Sequence, residues 1–454
     1  MFLTILAFAV LLGYGAFQQG AMPVLDGMVV SAGVAVLAVV YFLLKAREAA
    51  PPATNWILGV ALWIAALLCF QLAPLPPGLL RTLSPYSGQV AAALDPGGWF
   101  PITLTPAHSR IWLLRLSASL LAMLVARDLA WRSGRVWPSI FPVLFVAGGE
   151  SVIGLVQAFS GGPEASARGT YTNRDHFSGL MEMGIPLAVM AGVAWYQGGR
   201  RRFETSAAGA LGACGFFALA VSMLVAVLLS LSRMGFLTAL ASLLFVGAIS
   251  SSVALSDRIG PRLRWLPVAV VGAVVFLAFI YLPTDQLIDR FAGLGRQELS
   301  ADTRTQIWKD SLGIAAKAPL FGCGVGSYMS AFLAFKHVAP MNSVAYSHND
   351  YIQVMAEFGV LGAVPIALLI GLAMKGGLDS ASLSRDNPRH YLGIGCAGSL
   401  FALLLHGLVD FNLYIPANNL AFFWIAGVAL GVGAFRYERL PAHRVAPVRE
   451  FARR

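Results

Sequence analysis

Four polar sites lie between or beside the apolar segments of this chain, and each carries residue types that can bind an anion or move a proton. They are the Asn-Arg-Asp-His run at 173–176, the Ser-Arg-Met-Gly run at 232–235, Arg304, and the Ser-His-Asn-Asp run at 347–350. An arginine can give two parallel hydrogen bonds to a phosphate or carboxylate, and a histidine can accept a proton near neutral pH. These residues together indicate chemistry on a phosphate-bearing ligand.

The arginines lie where a membrane makes them costly. Arg233 joins two apolar runs in "LLSLSRMGFLTAL", and an arginine near a membrane boundary costs up to a few kcal/mol unless it snorkels or finds an anion. It is therefore either a snorkelling or capping residue or a phosphate ligand. Arg174 repeats the pattern, and Asn173 suits the N-cap of the helix that follows. His176 beside it is either an ordinary helix-start residue or a catalytic one.

His348, Asn349, Asp350 and Tyr351 lie at the start of the apolar segment that follows residue 349. At helical spacing His348 shares a stripe with Tyr351, whereas Glu357 lies about half a turn away around the helix. We expect Glu357 to serve in packing or a buried hydrogen bond. His348 is then either a cap residue or a general base.

His406 and Asp410 are spaced i, i+4 in an apolar segment and must face a partner or a hydrated cavity. A structural hydrogen bond and a proton relay both fit this pair. Glu182, about two turns into another apolar segment, should face the protein interior for the same reason. The sequence contains no metalloprotease, nucleophile-elbow or P-loop motif and no carboxylate cluster suited to Mg²⁺. We expect no metal or cofactor.

The elements that must position these residues are membrane helices. The chain has 454 residues, of which 57% are hydrophobic and 12% are charged, and its mean hydropathy is +0.72. About 20 apolar residues are needed to cross a membrane as a helix, which predicts an all-α integral membrane protein with about twelve spans. The predicted spans are 1–17, 22–44, 55–73, 110–127, 137–160, 175–196, 207–231, 234–255, 266–283, 350–374, 391–414 and 417–435.

Basic residues suggest the orientation of these spans. Most Lys and Arg residues fall in alternate loops and in the C-terminal tail, which by the positive-inside rule predicts that both termini are cytoplasmic. The whole chain, 1–454, is then one polytopic membrane domain with two long periplasmic loops, 74–109 and 284–349. Arg304 lies in the second of these loops, on a short helix for which Asp302 is a candidate N-cap.

Five segments resemble the O-antigen ligase and polymerase superfamily of bacterial envelope glycosyltransferases. The most specific is the ligase-type pattern formed by His348, Asn349, nine further residues, Gly359, two residues and Gly362. The other segments begin at Thr172, Leu229, Thr303 and His406.

The resemblance implies a GT-C-like membrane enzyme that moves a glycan from undecaprenyl pyrophosphate to a sugar hydroxyl at the periplasmic face of the inner membrane. By the family pattern His348 matches the base, and Arg233 and Arg304 match the pyrophosphate-binding arginines. Arg174 is a further candidate pyrophosphate ligand. Further candidates for supporting roles are Asn349, Asp350, Tyr351, His176, His406 and Asp410.

The acceptor distinguishes the members of this superfamily. A ligase uses the lipid A core as acceptor, whereas a polymerase uses another lipid-linked repeat unit. The His348 pattern favours a ligase, while the run from Asn349 to Gln353 also resembles exopolysaccharide polymerases. A flippase of lipid-linked sugars is the alternative from another class, and it would show paired repeats with charges near the midplane. No repeat is visible, and nucleic acid is not expected as a partner.

Overall fold

The computed structural model describes residues 1–134, 136–161, 165–201, 207–255, 301–337 and 343–438, together with the single positions 269 and 273. Within these ranges the protein is an all-α integral membrane protein, and no strand is present. The predicted span 266–283 and part of the predicted loop 284–349 lie outside the described residues. So do several of the basic residues used for orientation, among them Arg135, Arg258, Arg262 and Arg264.

The described part of the chain contains fifteen α-helices in sequence order. They are α1 Phe2–Phe17, α2 Val24–Lys45, α3 Thr54–Leu72, α4 Pro77–Leu83, α5 Pro85–Leu94, α6 Pro106–Arg132, α7 Phe141–Ser160, α8 Arg174–Arg201, α9 Ala207–Ser230, α10 Arg233–Leu255, α11 Ala301–Lys317, α12 Tyr328–Phe332, α13 Asp350–Asp379, α14 Pro388–His406 and α15 Pro416–Glu438.

Nine helices in these ranges are long and apolar enough to cross a membrane. Of the other predicted spans, the first is the shorter apolar helix α1 and the eleventh is α14, which ends at His406 instead of near residue 414. Helix α6 extends to Arg132, beyond residue 127 where the predicted span ends. Asp128 accepts a hydrogen bond from Tyr41 and pairs with Arg132, which stabilises this charged helix end.

Helix α15 lies at the centre of the bundle. Every residue from 416 to 434 is buried, and Trp424 stacks on Phe8 of α1 with ring centroids 3.8 Å apart. Small residues bring α15 close to α6, because a Cβ added at Gly427 would lie 2.1 Å from the carbonyl oxygen of Met123. The peripheral helices instead expose large apolar side chains such as Leu44 and Trp56, as expected of surfaces that face lipid.

Two segments cover one end of the bundle, which we call the loop end. Residues 74–105 contain α4 and α5, and residues 318–337 contain α12. The segments are joined by a hydrogen bond between the hydroxyls of Thr103 and Ser327, 2.9 Å apart, and by one from Leu104 N–H to the Cys323 carbonyl. Helices α8, α10 and α13 all begin at this end, with their first turns near these segments or near each other.

Candidate functional site

Helix α13 is interrupted at Gly359, and the segment after Pro319 packs against this break at the loop end. Gly359 has φ +60° and ψ −170°, so the helical hydrogen-bond ladder is interrupted there. Residues 319–323 supply hydrogen-bond partners for the interrupted helix: Val360 N–H donates to the Pro319 carbonyl (2.8 Å), and Cys323 N–H donates to the Ala356 carbonyl (2.9 Å). A Cβ at Gly359 would lie 2.4 Å from the backbone of Leu320, so only glycine allows this approach.

Glu357 serves this junction, in agreement with the prediction from helical spacing that it lies apart from His348. The side chain is buried, and Oε1 accepts hydrogen bonds from the backbone N–H groups of Gly326 (3.0 Å) and Tyr328 (3.1 Å). The "GCGVGSY" run at residues 322–328 is a tight turn, with positive φ at each of its three glycines. Glu357 therefore holds this turn against α13.

His348 lies in the turn just before α13 and not in the helix. Its φ is +52°, and Asn349 is the N-cap, whose side-chain oxygen accepts hydrogen bonds from the N–H groups of Tyr351 and Ile352. The prediction that His348 shares a helical stripe with Tyr351 is therefore wrong, because the left-handed turn rotates the histidine away from it. Trp308 of α11 donates its indole N–H to the His348 carbonyl (3.2 Å).

Three histidines surround one carboxylate at the loop end. His348 Nδ1 lies 3.5 Å from Asp410 Oδ1, while His176 Nε2 and His406 Nε2 lie 3.8 and 3.9 Å from Asp410 Oδ2. The ring of Phe411 meets the rings of His348 and His176 edge to face. Residues from three separate segments of the sequence therefore form one cluster.

Asp410 is held as an anion in this cluster. Burial alone would raise the pKa of its carboxyl, but His348 and the charges of His176 and His406 lower it below the ordinary value. The side chain of Asp410 is 7% exposed, whereas that of His348 is 22% exposed. The carboxylate is thus an internal partner, and the imidazole of His348 is the member that a ligand can reach.

His406 and Asp410 face each other at i, i+4 as predicted (3.9 Å), but α14 ends at His406 and Asp410 lies in the turn that follows, not in the helix. His406 Nδ1 makes a closer contact, with Glu182 Oε1 of α8 at 2.7 Å. Glu182 is fully buried, as predicted, and its other oxygen accepts a hydrogen bond from Thr238 of α10. These buried side-chain contacts join α8, α10 and α14 next to the Asp410 cluster.

Arg174 and Arg233 are the first residues of α8 and α10. Asn173 caps α8 as predicted, since its side-chain oxygen accepts the N–H of Asp175 (2.8 Å). The two helix starts are adjacent, because a Cβ added at Gly235 would lie 2.5 Å from Ser178 Cβ. The sequence-distant arginines therefore begin neighbouring helices.

Arg304 lies on α11, one turn before Trp308. Its Nε is buried and finds no hydrogen-bond partner in the described part of the chain. The described helix begins at Ala301, so Asp302 lies inside it and is not the predicted N-cap. Ile307 and Ile314 of this helix are buried.

Three more of the predicted residues have structural contacts here. Asn349 Nδ2 donates to the Leu408 carbonyl (2.7 Å), and Tyr351 donates its hydroxyl to the Leu404 carbonyl (2.7 Å). Asp350 is buried, and its N–H donates to the Gly407 carbonyl (2.8 Å). These contacts join the start of α13 to the end of α14 and so fix the distance from His348 to Asp410.

Sequence reasoning did not assign site roles to Trp308, Phe411 or Thr238. The sequence shows only that Trp308 lies four residues after Arg304 and that Phe411 follows Asp410. Neither position indicates a contact with a residue that is distant in the sequence. Within the described ranges, no group of three or more His, Cys, Asp or Glu side chains could hold a metal ion.

A multi-pass helical membrane protein with a histidine–carboxylate cluster, and with arginines at neighbouring helix starts, is the class that this fold and site define. Residues 218–367 match the model of a family described as O-antigen ligase. The matched range includes Arg233, Arg304 and His348, so this part of the chain is similar to the O-antigen ligase family. No curated protein matches the chain.

Proposed function

We propose that the protein is an inverting, metal-independent glycosyltransferase that moves a glycan from undecaprenyl pyrophosphate to an acceptor sugar hydroxyl. The match to the O-antigen ligase family model supports a function of the O-antigen ligase or polymerase type in general. The observation that carries the finer proposal is the pairing of a partly exposed imidazole with a buried carboxylate, His348 Nδ1 with Asp410 Oδ1 at 3.5 Å. A base that is oriented by a third group is the usual arrangement for activating a hydroxyl.

In the proposed reaction His348 takes the proton of the acceptor hydroxyl. The hydroxyl oxygen forms a bond to the anomeric carbon of the donor, the bond from that carbon to the pyrophosphate oxygen breaks, and the pyrophosphate leaves with the electron pair. Asp410 orients the imidazole and stabilises its protonated form. Attack opposite to the leaving group inverts the anomeric centre.

The arginines act on the leaving group in this proposal. Arg233 and Arg304 bind the pyrophosphate oxygens, and Arg174 is a third, weaker candidate. Guanidinium groups can neutralise the charge that develops on the pyrophosphate without a metal ion. The adjacent starts of α8 and α10 support joint action of Arg174 and Arg233, and the partnerless Nε of Arg304 supports a role in anion binding.

The proposed location is the inner membrane, with both termini in the cytoplasm and the site at the periplasmic face. The loop 284–349 would contribute Arg304 and His348 to the site, and the loop 74–109 would cover the same end. The lipid A core is the proposed acceptor, as in a ligase. If the acceptor is instead a second lipid-linked repeat unit, the protein is a polymerase with the same chemistry.

The test is transfer by purified protein in detergent, with a lipid-linked donor and an acceptor glycan. Wild-type protein should form a new glycosidic bond, and His348→Ala, Arg233→Ala and Arg304→Ala should each abolish it while their levels in the membrane stay unchanged. The size of the product separates ligase from polymerase. Full activity of His348→Ala would remove His348 as the base, and movement of the donor between compartments without a new bond would indicate a flippase.

A further inference from the structure

A cavity of about 340 Å³ lies behind the turn that carries His348. Its wall is shared by α6, α13 and the turns at residues 346 and 414, and it includes His108, Trp112, Arg115, Tyr346, Gln353 and Tyr414. The volume falls in the usual range of small-molecule sites, roughly 300–1,000 Å³. Val24 and Met329 line the cavity and are exposed, so a ligand can enter between them.

Arg115 places a guanidinium group on the wall of this cavity. It lies in α6, about 13 Å along the helix axis from Pro106 at 1.5 Å per residue, and the positive-inside rule does not explain it. Its Nε and Nη2 are buried, and neither has a hydrogen-bond partner among the described residues. The guanidinium carbon lies 5.7 Å from the centre of the Trp112 ring. A cation that is held in a membrane helix with free N–H groups calls for an anionic ligand.

The other walls of the cavity suit a sugar ring. Trp112 and Tyr414 lie edge to face with ring centroids 5.0 Å apart, and they present apolar ring surface. Gln353 and the carboxylate of Glu357 add polar groups that can bind sugar hydroxyls. Burial raises the pKa of the Tyr346 hydroxyl, with Glu357 adding to the rise and Arg115 opposing it. Tyr346 is therefore neutral and can donate a hydrogen bond.

The cavity is connected to His348 through two aromatic rings, those of Tyr346 and Phe411. Tyr346 stacks on Phe411 with ring centroids 4.1 Å apart, and Phe411 also contacts His348 and His176 edge to face. A glycan that extends from a hydroxyl near His348 could therefore place its next sugar in this cavity. A lipid headgroup would satisfy Arg115 but would leave the aromatic and amide groups without a role.

We propose that this cavity binds an acidic sugar of the acceptor glycan, with Arg115 on its carboxylate or phosphate group. The inference rests on the proposed function, because it assigns the acceptor side of the same site. Its test is binding in the absence of donor, so the result does not depend on whether transfer occurs.

The experiment measures binding of glucuronate, glucose 6-phosphate and glucose to the purified full-length protein by titration calorimetry. Wild-type protein should bind both acids more tightly than glucose. Arg115→Gln should weaken binding of the acids about ten- to hundredfold, the loss expected for a charge-assisted hydrogen bond, and should leave glucose unchanged. Arg110→Gln is the matched control, because Arg110 is exposed on the same helix and does not line the cavity.

A second Arg115 variant and a measurement of bound lipid complete the test. If Arg115→Gln does not accumulate, Arg115→Lys keeps the charge but loses the fork of donors, and it should still weaken binding of both acids relative to glucose. Native mass spectrometry of retained phosphatidylglycerol tests the lipid source. The proposal would be overturned if wild-type protein bound the acids and glucose equally, or if either Arg115 variant bound the acids as wild-type protein does. It would also be overturned if the only effect of Arg115→Gln were the loss of a bound phospholipid.

Discussion

His348 Nδ1 and Asp410 Oδ1 lie 3.5 Å apart in turns that belong to different helices, α13 and α14. The contact depends on the backbone between them, since Asp350 N–H donates to the Gly407 and Asp410 carbonyls at 2.8 and 3.2 Å. The buried carboxylate faces a more exposed imidazole, so Asp410 can orient the ring while a ligand reaches it. In the proposed reaction this pair accepts the proton of a bound hydroxyl.

Asp410→Asn should lower the rate of glycan transfer by about 10²-fold or more, within the usual contribution of acid–base catalysis. The substitution keeps the shape of the side chain but removes the charge that stabilises protonated His348. Rates under saturating donor and acceptor measure the effect. Asp379→Asn, at the other end of α13, is the control and should keep wild-type activity. Wild-type turnover by Asp410→Asn would show that His348 needs no charged partner.

Trp308→Phe should lower the transfer rate about fivefold. It removes the indole N–H that donates to the His348 carbonyl. Loss of this hydrogen bond should destabilise the left-handed turn at His348 by about 1 kcal/mol. Trp63→Phe is the matched control, because Trp63 also donates its indole N–H to a backbone carbonyl, that of Leu361, away from the cluster. Equal rates for the two variants would show that Trp308 does not position His348.

Hydropathy predicted the helices well because the membrane imposes one length and one composition on every span. The ends of helices were less predictable. Helix α6 continues through Arg127 and Arg132, since Asp128 and backbone carbonyls satisfy these charges inside the fold. Helix α14 stops at His406 although the apolar sequence continues. Local composition does not contain these tertiary contacts.

The candidate site was predictable only in part for the same reason. Helical spacing correctly separated Glu357 from His348, but it assumed that His348 was helical. The left-handed φ of His348 comes from the Asn349 cap and from Trp308, and the second of these contacts crosses from another helix. The sequence likewise gave no sign that Glu182, rather than Asp410, would contact His406 most closely.

Glu182→Gln should destabilise the protein, because it leaves His406 without its charged partner in a fully buried position. We expect a loss of about 3–5 kcal/mol, as is typical of breaking a buried pair. Thermal unfolding of the single variants and of the double variant with His406→Gln gives the coupling energy. Strictly additive effects would mean that the Glu182–His406 contact does not contribute to stability.

Gly359→Ala should destabilise the loop end by about 1–3 kcal/mol, because the added Cβ would collide with the backbone of Leu320 and because φ is +60°. Hydrogen exchange of the segment from Pro319 to Tyr328 should increase. Gly371→Ala is the matched control, since Gly371 lies in the same helix and a Cβ there meets nothing within 4 Å. Equal exchange in both variants would show that the break in α13 tolerates a side chain.

Asp310→Asn should destabilise α11 in a way that depends on pH. Burial alone would raise the pKa of Asp310, but hydrogen bonds from the His337 N–H (2.8 Å), the His337 ring (2.9 Å) and Gln306 (2.9 Å) lower it below the ordinary value. A lowered pKa contributes stability that is present above the unfolded value, about 3.9, and is lost as the pH falls through the folded value.

The unfolding free energies of wild-type protein and Asp310→Asn should therefore differ by about 1–2 kcal/mol at pH 5–8, and the difference should shrink below about pH 4. Measuring both in a His337→Gln background removes the second titrating group, while the backbone N–H of residue 337 still donates to Asp310. A difference that grows as the pH falls below 4 would have the wrong sign. It would mean that the folded protein holds Asp310 protonated.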